Sequence, residues 1–453
     1  MRDSAMSATV ATLAGGIKSW MTRGLADRAR QLRLTWQTMS FAERMASVFL
    51  AAMVVGGVVL RIQDLAWPTW FTFDEEPFVK NAHSYPLAIA DNNDHPPLGK
   101  MLIAVGMLVF GYNSLGWRFI PLLFGLQSIC LAYWLGRVLF DSRRAGFMAA
   151  AFMAADGFFI SYSRSGLLDG MMISFMLWGM VAALAARTWR GVLAAGVLIG
   201  LSTSIKWSGA MTAIPAAVGI LILRRVSIFS VLWLGVVPVV HTLIWMGALR
   251  LTGKPSDPVA TWRVIIGLYK HHLDLGHYKN DLCSPWYGWP ILMHPVVIKA
   301  STSGLKSRYS SSVGNLVLWA TTDLLLVAIP VTTLVIALRT RFRRYWLAIL
   351  DRQTMRGVWL MLLGWFAFMA PWLATRSTRG NYTFSHYYLP CYAFLLVLLA
   401  GLMAKLERRY PWLVTSYLGL ALAMAIFFAP VWGEFSLTSS AANLRLWFPA
   451  WRP

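Results

Sequence analysis

Residues 101–113 read MLIAVGMLVFGYN, an apolar run closed by a Gly-Tyr-Asn turn. The run holds 13 residues, whereas a helix needs about 20 to cross a bilayer core. It is therefore predicted to lie along the membrane surface as an interfacial or re-entrant helix. The whole topology depends on this reading, because one added span inverts the sidedness of everything that follows.

Working outward from it, a first span is predicted at about 45–60, and residues 61–116 form one long outer loop that carries the 101–113 helix. Further spans fall near 117–136, 145–162, 167–186, 191–205, 208–223, 227–249, 314–338, 356–374, 386–403 and 411–430, eleven in total. Charge supports this count. With the N-terminus inside, the clusters Arg137/Arg143/Arg144, Arg187/Arg190, Arg224/Arg225, residues 339–356 and Lys405/Arg408/Arg409 all fall on the cytoplasmic face. That is what retention of positive loops inside requires. The predicted fold class is an all-α polytopic membrane protein. A basic cytoplasmic segment spans 1–45 (Lys18, Arg23, Arg28, Arg30, Arg33), the membrane domain 46–430, and an extracytoplasmic segment 431–453. Residues 250–313 form a second outer loop.

Composition agrees. The chain of 453 residues is 57% hydrophobic and 13% charged, against about a quarter charged in soluble domains. Its net charge of +22 is assigned to topology signals in short loops rather than to nucleic-acid binding. Cys130, Cys283 and Cys391 form no pattern expected of a disulfide framework or thiolate metal site. No cleavable leader, internal repeat or low-complexity tract is read.

The acids are unevenly placed. Only 19 occur against 41 basic residues, yet FTFDEEPFVKN (71–81) and DNNDHPPLGK (91–100) concentrate them in the first outer loop. Arg118, Arg164, Asp169, Lys206 and His386 lie at the outer ends of spans, where a charge costs about 2.5–3.5 kcal/mol at mid-membrane. Each has a plain structural account. Arg118 and Lys206 can snorkel to headgroups, Asp169 can pair with Arg164 across a shared turn, His95 can shape the turn before Pro-Pro, and Asp74 or Glu75 can solvate the loop. Their convergence at one depth favours a site. Cations there suit a lipid-linked phosphate, and a nearby carboxylate can act as general base toward a hydroxyl. A departing phosphate needs charge stabilisation rather than the second carboxyl of a glycoside hydrolase.

In order along the chain stand FDE (73–75), HPPLGK (95–100), GYN (111–113) leading to Arg118, SRSGLLD (163–169), KWSG (206–209), SPWYGWPILMHPV (284–296) and TFSHYYLP (383–390). This ordered set resembles the dolichyl-phosphate-mannose-protein mannosyltransferase family, membrane glycosyltransferases of the GT-C type. The resemblance implies that fold with about 11 transmembrane helices. It also implies transfer of mannose from polyprenyl-phosphate-mannose to Ser or Thr hydroxyls of a translocated protein. By the family pattern Asp74 is the catalytic base and Glu75 its neighbour at the acceptor. Arg118 and Lys206 hold the donor phosphate, and His95, Lys100, Arg164, Asp169 and His386 have positioning roles.

The chain departs from the pattern in three places. The 250–313 loop is too short for the MIR domain of eukaryotic members, TFSHYY replaces the usual TFLYHY, and Glu76-Pro77 follow the DE pair. No cofactor is required by the scheme. A divalent metal stays open, with HHLDLGH (271–277) read as ordinary loop. The implied partners are the bilayer, the lipid-linked donor, a secreted Ser/Thr acceptor and the secretion translocon. Two alternatives remain at this stage: a GT-C-type transferase moving another lipid-linked sugar to a lipid or polysaccharide, and a lipid-phosphate flippase.

Overall fold

A computed structural model describes residues 30–31, 33–34, 36–88, 95–223, 226–274, 283–303, 306–338, 351–374 and 383–452. In chain order the helices are α1 (Phe41–Ile62), α2 (Glu75–Ser84), α3 (Leu98–Phe110), α4 (Ser114–Phe140), α5 (Arg143–Ala154), α6 (Gly157–Ser163), α7 (Asp169–Ala185) and α8 (Trp189–Thr203). They continue as α9 (Ala213–Leu223), α10 (Val236–Leu251) and α11 (Pro258–Asp274). After two strands, β1 (Val297–Ser303) and β2 (Lys306–Ser311), come α12 (Leu316–Leu338), α13 (Arg352–Ala374), α14 (Leu389–Glu407) and α15 (Pro411–Trp432). A two-residue strand β3 (Leu437–Thr438) and the short α16 (Ser439–Asn443) follow the last long helix.

Each of the eleven expected spans coincides with a helix or helix pair, but the helices differ in length. Among the described residues, seven are long and apolar enough to cross a membrane, or eight when α5 and α6, bent by 66°, count as one span. The apolar segments at 169–185, 189–203 and 207–223 are shorter. Their shortness has a local cause. α7 starts at Asp169 and α8 ends at Thr203, so both stop where the chain turns toward the charged residues Asp169 and Lys206. Irregular backbone at such depth is tolerated where protein surrounds it.

The α5–α6 break shows how this is done. Asp156 caps α6 through the Phe158 amide at 2.9 Å, and also accepts from Asn315 N (2.8 Å), Trp319 Nε1 and Tyr392 OH (both 3.1 Å). Arg61 covers the frayed end of α5, donating to the carbonyls of Ala154 (2.8 Å) and Met153 (2.9 Å). α14, preceded by a 3-10 turn at Ser385–Tyr388, is the most buried long helix and forms the axis of the core, whereas α12 is the least buried.

The 13-residue α3 is one of the shorter apolar helices. It buries Ile103, Ala104 and Met107 while exposing Val105, Leu108 and Val109. Gly111 ends it at φ 86°, a conformation that favours glycine. Asn113 then caps α4 by accepting from the Gly116 amide at 3.0 Å. A Cβ on Gly116 would stand 2.1 Å from the Gly111 carbonyl oxygen, so the α3–α4 turn closes only around glycine. The described residues of 250–313, read from sequence as a loop, are structured. α11 is followed by an antiparallel sheet of order β1-β2-β3, with a bulge between Val297 and Lys299.

Candidate active site

The DE pair is divided by the start of α2. Phe73 sits at φ 46°, a left-handed conformation uncommon for an aromatic residue. Asp74 follows at the N-cap position but makes no side-chain cap bond, and it is half-buried. Glu75, one residue on, is fully buried. Its carboxylate accepts from Arg118 Nε and Nη2, both at 2.7 Å, from the Gly166 amide at 2.8 Å, and from the Thr72 amide and hydroxyl at 3.1 and 3.0 Å. Burial works to raise the Glu75 carboxyl, but hydrogen bonding and charge from Arg118 hold it below the usual carboxylate value.

Arg118 is equally committed. Beyond its fork onto Glu75, it donates to the carbonyls of Pro68 (2.7 Å), Trp70 (3.3 Å) and Leu65 (3.4 Å). Arg118, expected at the donor phosphate, here turns its donors to Glu75 and loop carbonyls. Glu75, expected beside the acceptor, has its carboxylate taken up by Arg118, Thr72 and the Gly166 amide. Together they fix the loop from which Asp74 emerges.

A second buried network adjoins the first. Arg164 forks onto Glu434 at 3.0 and 3.3 Å and donates to the Leu60 carbonyl. Lys299 meets Glu434 at 2.9 Å and donates to the carbonyls of Arg164 (3.1 Å) and Trp67 (3.3 Å). Burial lowers the Lys299 ammonium to a pKa of about 8, with Glu434 opposing that shift. The reading of Asp169 as counter-ion to Arg164 is corrected here. Residues 164–168 separate α6 from α7, so the two side chains share no helix face; Arg164 turns to Glu434 and Asp169 to Lys206. Glu434 and Lys299 were missed by sequence reasoning. The only signals were a lone acid just after the last span and a lone lysine in an apolar strand.

On the other side of Asp74 lies a differently organised group. Lys206 Nζ meets both Asp169 carboxylate oxygens, at 2.8 and 2.9 Å, and stands 5.7 Å from the centre of the Tyr387 ring. His386 packs 4.5 Å from Tyr387, 5.8 Å from Tyr162 and 6.0 Å from Phe73, ring centre to ring centre. The Tyr162 hydroxyl lies in the fields of both Asp169 and Asp74. It is buried without a hydrogen-bond partner, as is His386 Nδ1. His95 stands 5.2 Å from His272, whose ring is 5.0 Å from Trp207. Burial, then the charges of Lys206, His272, Lys100 and His386, push the His95 imidazole well below its usual value.

Six predicted residues, Asp74, His95, Lys100, Asp169, Lys206 and His386, thus lie in one neighbourhood, here named the chamber, whereas Glu75, Arg118 and Arg164 belong to the fully paired networks beside it, here named the wall. Tyr162, Tyr387, Trp207 and His272 are additions. Lys206 and Lys100 supply positive charge here and the histidines add polar ring nitrogens, while Asp169 and Asp74 are the acids. Among the described residues no group of three or more His, Cys, Asp or Glu is placed to hold a metal ion. HHLDLGH is split: His271 and His272 end α11, and 275–277 lie outside the described residues.

Solved structures share this arrangement of helices. A Saccharomyces cerevisiae protein O-mannosyltransferase complex bound to the sugar donor superposes with a TM-score of 0.74 at 14% identity, covering 93% of this chain and 94% of that one. ArnT from Cupriavidus metallidurans bound to undecaprenyl phosphate gives 0.54 at 14% identity, over 85% and 76% of the two chains. These likenesses define the class by fold: a multi-pass membrane protein with the GT-C-type arrangement of helices.

Two family models then narrow it. The model described as dolichyl-phosphate-mannose-protein mannosyltransferase matches residues 94–248, and that of the C-terminal four-span region of protein-O-mannosyltransferase matches 261–451. Polyprenol-phosphate-mannose–protein mannosyltransferases of Mycolicibacterium smegmatis and Mycobacterium tuberculosis are each 24% identical over 79% of this chain, covering 82% and 81% of their own lengths. The chain belongs to the dolichyl-phosphate-mannose-protein mannosyltransferase family, and it is a glycosyltransferase.

Proposed function

We propose that the protein transfers mannose from polyprenyl-phosphate-mannose to Ser or Thr hydroxyls of polypeptides emerging on the extracytoplasmic side. The N-terminal segment 1–45 is cytoplasmic, and the chamber and residues 431–453 face outward. The observation that supports the site assignment is Asp74 itself: half-buried, at an N-cap it does not cap, in the neighbourhood that also holds Lys206 and Lys100.

In this mechanism the donor phosphate rests against Lys206, with Lys100 and His95 adding positive or hydrogen-bonding groups. Asp74 takes the proton from the acceptor hydroxyl as its oxygen attacks the anomeric carbon. The bond from that carbon to the phosphate oxygen breaks, and the leaving phosphate keeps the electron pair. One displacement inverts the sugar configuration. Asp169 orients Lys206, Glu75 and Arg118 hold the Asp74 loop, and His386 and Tyr162 line the sugar's side of the chamber. No step calls for a metal ion.

Purified protein given radiolabelled polyprenyl-phosphate-mannose and a Ser/Thr peptide should label the peptide. Asp74→Asn should lower kcat about 10²–10⁴-fold with normal expression and folding. Wild-type turnover in that variant removes Asp74 from the chemistry, and label appearing in lipid instead of peptide overturns the acceptor assignment.

A further inference from the structure

The outer sheet ends in an edge with no occupant among the described residues. β1 pairs with β2 alone, and residues 297–303 make no other backbone hydrogen bond. Ala300, Thr302 and Ser303 are exposed on it. Edge strands are commonly protected by outward charges or proline. This edge reads Ala-Ser-Thr-Ser over 300–303, and its one lysine, Lys299, is turned inward and 1% exposed.

The edge is held in a fixed place beside the catalytic loop. Lys299 ties β1 to the carbonyls of Trp67 and Arg164 and to Glu434. Two residues beyond Arg164, the Gly166 amide grips Glu75, the neighbour of Asp74. At its other end, the segment leading into β1 starts at the chamber. Ser284 exchanges hydrogen bonds with Thr383 at 2.8 and 2.9 Å, and Trp289 stacks edge-on against Tyr387 at 6.0 Å. Residues 284–303 therefore run from the chamber side at Tyr387 to the Asp74 loop at Trp67.

The geometry points to β1 as the docking edge for the acceptor, an extended polypeptide that adds to the sheet as a further strand. This inference rests on the acceptor being a polypeptide, as proposed above. Substrates that share only a Ser or Thr have their backbone in common, and strand addition reads backbone through main-chain hydrogen bonds. A strand also turns alternate side chains to opposite faces, so every second residue is presented on the face that looks toward the Asp74 loop. Small, uncharged side chains at 300–303 leave the edge open to any neighbouring sequence.

The test changes the peptide and leaves the enzyme intact. A single-Ser acceptor is N-methylated at one position at a time across its length, and KM and kcat are measured with the full-length protein. Because one edge hydrogen bond is lost per hit, KM should rise about three- to tenfold at alternate positions and stay near its starting value between them, with kcat little changed. A photo-crosslinking residue at Thr302 should capture the peptide, while one at the exposed Leu243 on α10 should not. Transfer to the unmodified peptide without any period-two pattern, or equal capture from both positions, overturns the inference and leaves the mannosyltransferase reading standing. No transfer to the unmodified peptide refutes that reading and this one together.

Discussion

Two charged regions flank Asp74 and are built from the same residue types. In the wall, Glu75, Arg118, Arg164, Lys299 and Glu434 are buried, and each carboxylate meets at least one guanidinium or ammonium. In the chamber, Lys206 and Asp169 pair, but Tyr162 OH, His386 Nδ1 and Trp207 Nε1 are buried without hydrogen-bond partners. Unsatisfied buried polar groups are rare because they are costly. The difference teaches which acids and bases are fully paired and which sit, among the described residues, beside polar groups left open, a distinction that residue type alone does not make.

This comparison can be broken at several points. The largest effect is the loss of turnover expected for Asp74→Asn. Next is Arg118→Ala, which strands a buried Glu75 and should cost about 3–5 kcal/mol of stability, read as a lower unfolding midpoint in detergent. Normal stability with impaired donor use would move Arg118 from the wall into the chamber.

Lys206→Gln should raise the donor KM about 10–100-fold, the range for losing a charged hydrogen bond. The double variant Lys206→Gln with Asp169→Asn should stay as impaired. Recovery of a normal donor KM in the double variant would reduce Lys206 to a counter-ion.

The smallest effect concerns His95, whose imidazole value lies well below 6.5 in the folded state. Between the folded value and 6.5 the unfolded chain binds a proton that the folded chain does not. Stability should therefore fall as pH drops below 6.5, by up to about 1 kcal/mol per unit. His95→Gln should flatten that slope in unfolding midpoints measured across pH. An unchanged slope would show that other groups carry it.

Much of the fold was legible because bilayer crossing imposes a length and a polarity that a single sequence displays. The 101–113 run marked the short apolar helix α3, and hydropathy located a helix at each of the eleven expected spans, though it missed α2 and α11 in the segments read as loops. The number of full-length spans was less legible. Hydropathy does not register the breaks at Asp156, Asp169 and Lys206, where buried side chains satisfy an interrupted backbone. In the site, ordered motifs marked the right neighbourhoods, but partners were misassigned. Arg164 and Asp169 lie five positions apart, yet they belong to different networks because a turn intervenes.

Sequence by itself determined that this chain is a many-helix membrane protein with a local concentration of acids at 74–76, since both features follow from local composition. Tertiary structure alone decided that Arg118 clamps Glu75, that Glu434 answers Arg164 from 270 residues away, and that Tyr162 and His272 join the chamber. Those pairings depend on which helix ends meet in space. Desolvation makes a buried charge take the nearest opposite charge, whatever its distance along the chain.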